Sequence, residues 1–255
     1  MFMSKIKERL KAGECVYGLF INSCSTIACE IAGLAGYDFV MIDSEHGPTD
    51  VIDNRELIMA AEYRGCAPIV RVSNSSRDLI LRTLDVGAHG VMVPQVNDRD
   101  TAHQVAQAAH YFPEGIRGVA NARAADYGFE SPLTHYFELA NKRNLTIVQC
   151  ENIAALPHLD EICLEEGIDV IFVGPYDLST TMGQPGKVGY EYIHEVTDAV
   201  IEACRKNGKA AGIFVKDAAE AHFYRDKGYQ FIIVGIDVGM YAAACRNTVA
   251  KLREG

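Results

Sequence analysis

The chain has 255 residues, 49% hydrophobic and 23% charged, with 22 Gly, 8 Pro and no Trp, which excludes disordered, collagenous and small disulfide-stapled classes. Its 24 Lys and Arg against 34 Asp and Glu give a net charge of −10; most of the surface repels phosphate backbones, so nucleic-acid binding is disfavoured. A local Arg or a bound cation can still make one pocket attractive to a small anion.

Short β-branched and apolar runs recur in order at 16–21, 39–43, 68–72, 90–93, 146–151, 170–174, 211–215 and 231–235. Continuous rather than alternating hydrophobicity predicts parallel strands covered on both faces. Between them, 78–85, 101–111 and 191–206 read as amphipathic helices. Gly36, Gly65, Gly87, Gly167, Gly208 and Gly228 stand where a helix should end before the next strand. Eight strand–helix units predict a single (β/α)8 TIM barrel spanning residues 1–255. A doubly wound sheet is disfavoured because no Gly-x-Gly-x-x-Gly follows the first strand. The two long steps between strands hold segments 113–133 and 175–190, both expected as loops on the C-terminal face of the barrel, where such folds build their sites.

No apolar run approaches the roughly 20 residues that span a bilayer, and residues 1–10 are charged throughout, without the apolar core of a signal peptide. The eight Cys are scattered with no Cys-x-x-Cys pair. They read as reduced core thiols, and the expected location is cytoplasmic.

Four strand ends carry polar groups: Phe39-Val-Met-Ile-Asp43-Ser-Glu45-His46-Gly47, Ile69-Val-Arg71, Ile147-Val-Gln149-Cys-Glu151-Asn152 and Ile171-Phe-Val-Gly174-Pro-Tyr-Asp177-Leu-Ser179. Charges at the tips of buried strands are costly unless they pair, bind metal or face a wet pocket. Glu151 and Asp177 are hard oxygen donors suited to one divalent cation. Arg71 suits a carboxylate or an enolate oxygen. His46 is the natural proton carrier. Together they would polarise a 2-oxo acid, remove a proton from its methyl group and stabilise the enolate. The structural alternatives are a Glu151–Arg71 ion pair filling the barrel mouth and a capping role for His46. Cys150 points to the opposite side of its strand and reads as core; the other seven His read as structural.

At these residues the sequence resembles the metal-dependent pyruvate aldolases of the HpcH/HpaI type, along nearly the whole chain. The segments that carry the likeness include Ile42-Asp-Ser-Glu-His-Gly-Pro48, Pro68-Ile-Val-Arg-Val72, Leu84-Asp-Val-Gly-Ala88, Pro113-Glu-Gly-Ile-Arg-Gly-Val119, Gln149-Cys-Glu151, Gly174-Pro-Tyr-Asp-Leu-Ser179 and Val234-Gly-Ile-Asp237. The resemblance implies that His46 is the general base, that Asp85 raises its basicity and that Arg71 stabilises the transition state. It implies Glu151 and Asp177 as ligands of a divalent metal (Mg, Mn or Co), with Gln149 and the backbone at Tyr176 on the oxo acid. Asp43 and the 118–128 loop, with Arg123, would face the aldehyde. It further implies a homohexamer, a trimer of dimers in which a C-terminal helix over 240–252 packs on a neighbour. Spacing alone reads Asp85 as a helix end before Gly87. Tyr176 stands where the family has a small residue, and the sequence departs from it also at Cys150 and Asn152.

The expected reaction is cleavage of a 4-hydroxy-2-oxo acid to pyruvate and an aldehyde. Alternatives are a citrate-synthase-like carbon–carbon synthase, a non-catalytic oxo-acid-binding barrel, and a Schiff-base aldolase, for which Lys216 is the available strand-end lysine.

Overall fold

The computed structural model describes residues 4–129 and 133–254. Its elements run α1 (Ile6–Lys11), β1 (Val16–Ile21), α2 (Thr26–Ala35), β2 (Phe39–Asp43), α3 (Val51–Tyr63), β3 (Ala67–Arg71), α4 (Arg77–Asp85), β4 (Gly90–Val93), α5 (Arg99–Ala109), α6 (Leu133–Arg143), β5 (Leu145–Cys150), α7 (Leu159–Cys163), β6 (Val170–Val173), α8 (Pro175–Thr181), α9 (Tyr190–Asn207), β7 (Ala210–Val215), α10 (Ala218–Lys227), β8 (Phe231–Ile236) and α11 (Asp237–Arg253). Short 3-10 turns lie at Arg123–Gly128 and Ile153–His158. The eight strands pair in parallel and close into a barrel in chain order, the (β/α)8 architecture that the sequence predicts. Observed strand bounds differ from the predicted ones by no more than one residue at either end.

Local chemistry explains where the helices start and stop. Ser25, Asp50, Asp98 and Asp217 accept backbone N–H groups that the first turns of α2, α3, α5 and α10 leave without partners. Gly36, Gly208 and Gly228 end α2, α9 and α10 in the left-handed conformation, where a side chain would be strained.

Side-chain alternation along each strand divides the core in two. Phe39, Met41, Ala67, Ile69, Met92, Leu145, Ile147, Val170, Phe172, Phe231 and Ile233 fill the barrel lumen. The intervening Val40, Ile42, Val70, Val148 and Ile171 meet the helices, as does Cys150. Ile6 and Leu10 of α1 plug the N-terminal end of the lumen. Lys7 anchors that plug by donating to the carbonyls of Asn141 and Asn144 just before β5, and by pairing with Asp169 just before β6 at 3.0 Å. Within the lumen Phe39 stacks on Phe231 at 4.2 Å, and Phe172 meets Phe231 edge-on at 6.2 Å. These rings need small neighbours: a Cβ on Gly18 would lie 2.1 Å from the Phe39 ring, and one on Gly212 2.8 Å from the Phe172 ring.

One expectation about the loops is corrected. Segment 175–190 leaves β6 directly and lies on the C-terminal face, as expected, but its first half is helix α8 (Pro175–Thr181) rather than loop. Segment 113–133 does not, because it follows α5, which has already carried the chain back to the face where strands begin. Within it Arg123 donates to the Val86 carbonyl, one residue beyond α4, at 3.2 Å, and pairs with Glu62 near the end of α3. Residues 130–132 of that segment lie outside the described residues.

The lumen packing predicts that Gly18→Ala costs about 1–3 kcal/mol in urea unfolding, the usual cost of overpacking a filled core. Adding Phe39→Leu should recover part of that loss, since the two changes share one contact; equal stability of Gly18→Ala and the parent would contradict this packing.

Candidate functional site

The alternation that fills the lumen also composes its mouth. Asp43, Arg71 and Gln149 each lie two residues beyond the inward-facing Met41, Ile69 and Ile147, and Glu151 lies two beyond Gln149, so all four continue the inward rows. Asp43 and Arg71 are direct partners across β2 and β3. Arg71 donates its Nε to Asp43 Oδ1 at 2.9 Å and its Nη2 to Oδ2 at 2.7 Å, a bidentate pair with both groups buried. Its Nη1 lies 3.1 Å from Glu45 Oε2, and its guanidinium rests over the Phe20 ring at 4.7 Å.

Asp43 is the most connected group of the site. Besides Arg71 it accepts the Asn22 side-chain amide at 2.8 Å and the backbone N–H groups of Glu45 and His46 at 3.1 and 3.2 Å. Burial alone would push its carboxyl up. The Arg71 hydrogen bonds and charge, with the two backbone amides, outweigh that and hold it below the usual carboxylate range.

Glu151 is in the opposite situation. It is 1% exposed; one carboxylate oxygen accepts the Gln95 backbone N–H and the other the Gln149 side-chain amide, both at 2.8 Å. Burial, reinforced by the charges of Glu45 and Asp177, raises it to about 7 against the pull of the Gln95 N–H and Arg71. Gly174 makes room for this carboxylate, since a Cβ there would stand 2.8 Å from Glu151 Oε2. Burial likewise raises Glu45, in the face of Arg71 and His46.

Above these groups lies a cavity of about 240 Å³ lined by Asp43, His46, Arg71, Gln149, Tyr176 and Asp177 among polar residues, with Phe20, Phe172 and Phe214 forming its apolar wall. The structure thus brings together Asp43, His46, Arg71, Gln149, Tyr176 and Asp177, with Glu151 against Gly174 on the cavity wall. It does not bring in Asp85 or Arg123. Asp85 is the last residue of α4, at the opposite end of the barrel, where it pairs at 2.7 Å with Arg117, whose side chain is fully buried over the Tyr111 ring. Arg123 is tied to Glu62 and Val86 on that same face. Neither lines the cavity of its own chain. The alternative Glu151–Arg71 ion pair does not form; Arg71 pairs instead with Asp43 and Glu45. Lys216 is exposed and paired with Glu220 at 2.7 Å, outside the cavity lining.

Sequence reasoning assigned no role to Glu45, Asn22 or Phe214. Glu45 obeys the same strand-tip rule as its neighbours and was legible in the Asp43–His46 stretch. Asn22 and Phe214 carry no local signal, because only barrel closure sets β1 and β7 beside the other polar ends.

The donor set fits a hard divalent cation. Gln149 Oε1 and Asn22 Oδ1 are buried acceptor oxygens without hydrogen-bond donors, and the charges of Glu45 and Asp177 help to raise Glu151. Such an excess of oxygen acceptors suits Mg or a similar ion bound by one or two carboxylates and completed by other oxygens. Among the described residues no three His, Cys, Asp or Glu are gathered as a ready-made metal cage.

Comparison with known proteins shows the family. Residues 16–244 match the HpcH/HpaI aldolase/citrate lyase family. A 2-keto-3-deoxy-L-rhamnonate aldolase of Shigella sonnei is 35% identical over 257 residues, covering 100% of this chain and 95% of that one. A hydroxypyruvate/pyruvate aldolase of Cupriavidus necator is 34% identical over 250 residues, covering 97% and 92%. The crystal structure of an HpcH/HpaI aldolase/citrate lyase family protein from Burkholderia cenocepacia matches with a TM-score of 0.92 and 33% identity, over 98% of this chain and 100% of that one.

The Asp43–Arg71 pair makes a stability prediction with a definite sign. Asp43→Ala removes the bidentate partner of the buried Arg71 guanidinium, leaving it Glu45 alone, and should cost about 3–5 kcal/mol at neutral pH. Because the folded carboxyl titrates below its unfolded value, its contribution is complete above the unfolded pKa of about 3.9 and is lost as pH falls through the folded value. Denaturant unfolding of the parent and of Asp43→Asn should therefore differ most at neutral pH and converge on acidification below about pH 4; a gap that widens on acidification would refute it.

Proposed function

The chain belongs to the HpcH/HpaI aldolase/citrate lyase family, and we propose that it cleaves a 4-hydroxy-2-oxo acid to pyruvate and an aldehyde and runs the reverse addition with a divalent cation, Mg, Mn or Co, at Glu151 and Asp177. It is a carbon–carbon lyase, as its aldolase relatives are. The observation that carries the substrate assignment is one cavity at the strand ends that joins a rigid Arg, a His and the carboxylates Asp43 and Asp177, with Glu151 behind Gly174.

Without a cation the site is acid-rich for an anionic substrate: Asp43, Glu45, Glu151 and Asp177 outnumber Arg71 and His46. A divalent ion, when bound, supplies positive charge for the substrate carboxylate and Lewis-acid polarisation of the 2-oxo group. The chain's own residues do the rest. Asp43 and Glu45 hold Arg71 by fixed contacts, leaving its remaining N–H groups for the oxygen on which negative charge develops. His46 at the cavity rim takes the proton of the C4 hydroxyl as the C3–C4 bond breaks and its electron pair passes toward the C2 oxygen; that proton then returns to C3 to give pyruvate. Phe20, Phe172 and Phe214 keep the reacting carbons in an apolar wall and limit water at the carbanionic centre. Gln149 and the backbone at Tyr176 position the oxo acid in this reading. Asp43 and Arg123 face the aldehyde in this reading.

Asp85 and Arg123 act, in this reading, from a second copy, because the fold separates them from the cavity of their own chain. Assembly as a homohexamer, a trimer of dimers, supplies that copy. Supporting it, α11 buries no residue and exposes Met240, Tyr241, Val249 and Leu252, while α2 exposes Ile27, Ile31 and Leu34. Apolar faces of that size are characteristic of interfaces. All eight cysteines are thiols, which suits a cytoplasmic protein, and among the described residues no helix is long and apolar enough to cross a membrane.

Two measurements test this reading. In D₂O the pyruvate methyl protons should exchange when Mg, Mn or Co is added to chelator-treated protein, and His46→Ala should slow exchange by roughly 100- to 10 000-fold; absence of exchange with every metal would sink the proposal. For the shared site, His46→Ala and Asp85→Ala subunits, each nearly inactive alone, should on mixing regain roughly a quarter of parental activity, as random pairing across a two-fold interface requires. If the mixture stays inactive, Asp85 does not act from a partner.

A further inference from the structure

A second groove, of about 380 Å³, opens beside the catalytic cavity on the same face of the barrel. Pro175, Tyr176 and Phe214 line both spaces. The Tyr176 and Phe214 rings lie 6.2 Å apart, tilted by 53°, and form the common wall. Tyr176 is 55% exposed, so its ring is the rim over which a chain would pass from one space into the other.

Beyond that rim the groove runs between the start of α9 and α10 over an aromatic floor. Tyr190 meets Phe223 edge-on at 5.1 Å, and Phe223 meets Tyr224 at 5.2 Å. The floor is held in place from outside the groove, since the Tyr190 hydroxyl donates to Asp198 and accepts from Lys227, both at 2.6 Å. The charged residues at the groove are Glu191, Glu220 and Lys216, and the Lys216 ammonium is already taken by Glu220. The remaining charge is negative, which disfavours a second anionic group. The Lys227 ammonium already covers one side of the Tyr190 ring at 4.1 Å. The exposed Phe223 and Tyr176 rings still offer contact to C–H groups, and carboxylates accept hydrogen bonds from hydroxyls. That combination fits a neutral, polyhydroxylated carbon chain.

We propose that this groove receives the distal part of the aldehyde partner, a neutral polyhydroxylated chain of at least four carbons, with Tyr176 as the specificity-determining rim. The proposal rests on the pyruvate-aldolase reading and adds to it the class of acceptor. Pyruvate and a short aldehyde are served by the catalytic cavity alone; only a longer acceptor reaches past Tyr176.

The test is aldol addition of pyruvate to glycolaldehyde and to arabinose, catalysed by the metal-loaded parent, Val188→Trp and Glu191→Gln. Val188 lines the groove and not the cavity, and a Trp there fills the groove. Val188→Trp should raise KM for arabinose at least about tenfold, with kcat nearly unchanged, while glycolaldehyde kinetics stay within about twofold of the parent. Glu191→Gln, which leaves the groove open and removes a charged acceptor, should raise the arabinose KM by about three- to tenfold. Comparing each variant with the parent cancels the small open-chain fraction of arabinose. Equal effects on both acceptors, or turnover of glycolaldehyde with none of arabinose by the parent, would overturn the groove assignment. Pyruvate methyl exchange, measured on the same preparations, separates the two failures: loss of exchange in the parent strikes the aldolase reading, whereas retained exchange without chain-length dependence strikes only the groove.

Discussion

Barrel closure is the constraint on which everything else in this molecule depends. Once eight strands pair in parallel around a ring, each strand has a fixed inward row and a fixed outward row, and a shift of one residue would exchange them. Here the inward rows carry Phe39, Phe172 and Phe231 at mid-height, with Gly18 and Gly212 giving way to them. Two or more residues further along, the same rows carry Asp43, Arg71, Gln149 and Glu151. The register that packs the lumen therefore also aims the chemistry, and a slip that spoiled one would spoil the other.

The two carboxylates on these rows show how environment divides identical chemistry. Asp43 is surrounded by donors and stays ionised as a scaffold for Arg71. Glu151 lies buried among other acids, so its negative charge is unfavourable until something positive arrives. That contrast resolves the apparent conflict between a chain of net charge −10 and an acid as substrate. The local field at the barrel mouth is set by a few buried groups and by what they bind, not by the surface sum.

Topology, rather than chemistry, separates Asp85 and Arg123 from the cavity. Helices in this fold run opposite to strands, so the last residue of a helix lies at the end of the barrel away from the preceding strand's tip. Asp85 closes α4 and Arg123 follows α5, and both therefore sit with Arg117, Glu62 and Val86 at the N-terminal face. The unburied α11 and the apolar residues of α2 mark surfaces that a lone chain leaves open. Tyr176, by contrast, stands where its ring borders two spaces at once.

Much of this protein was legible before any coordinates. The apolar runs marked the eight strands to within a residue, because strands buried on both faces must be continuously hydrophobic. Polar residues ending such runs marked Asp43, His46, Arg71, Glu151 and Asp177 as one group, because buried charge without a purpose is too costly to persist. The sequence by itself thus determined the barrel, its strand tips and the inward placement of the site residues, all of which follow from local periodicity. Tertiary structure alone decided that Arg71 pairs with Asp43 and Glu45 rather than Glu151, that Asn22 and Phe214 join the site, and that Asp85 and Arg123 leave it. Those outcomes depend on which strands become neighbours and on which end of the barrel each helix terminates, and distance along a chain carries no record of either.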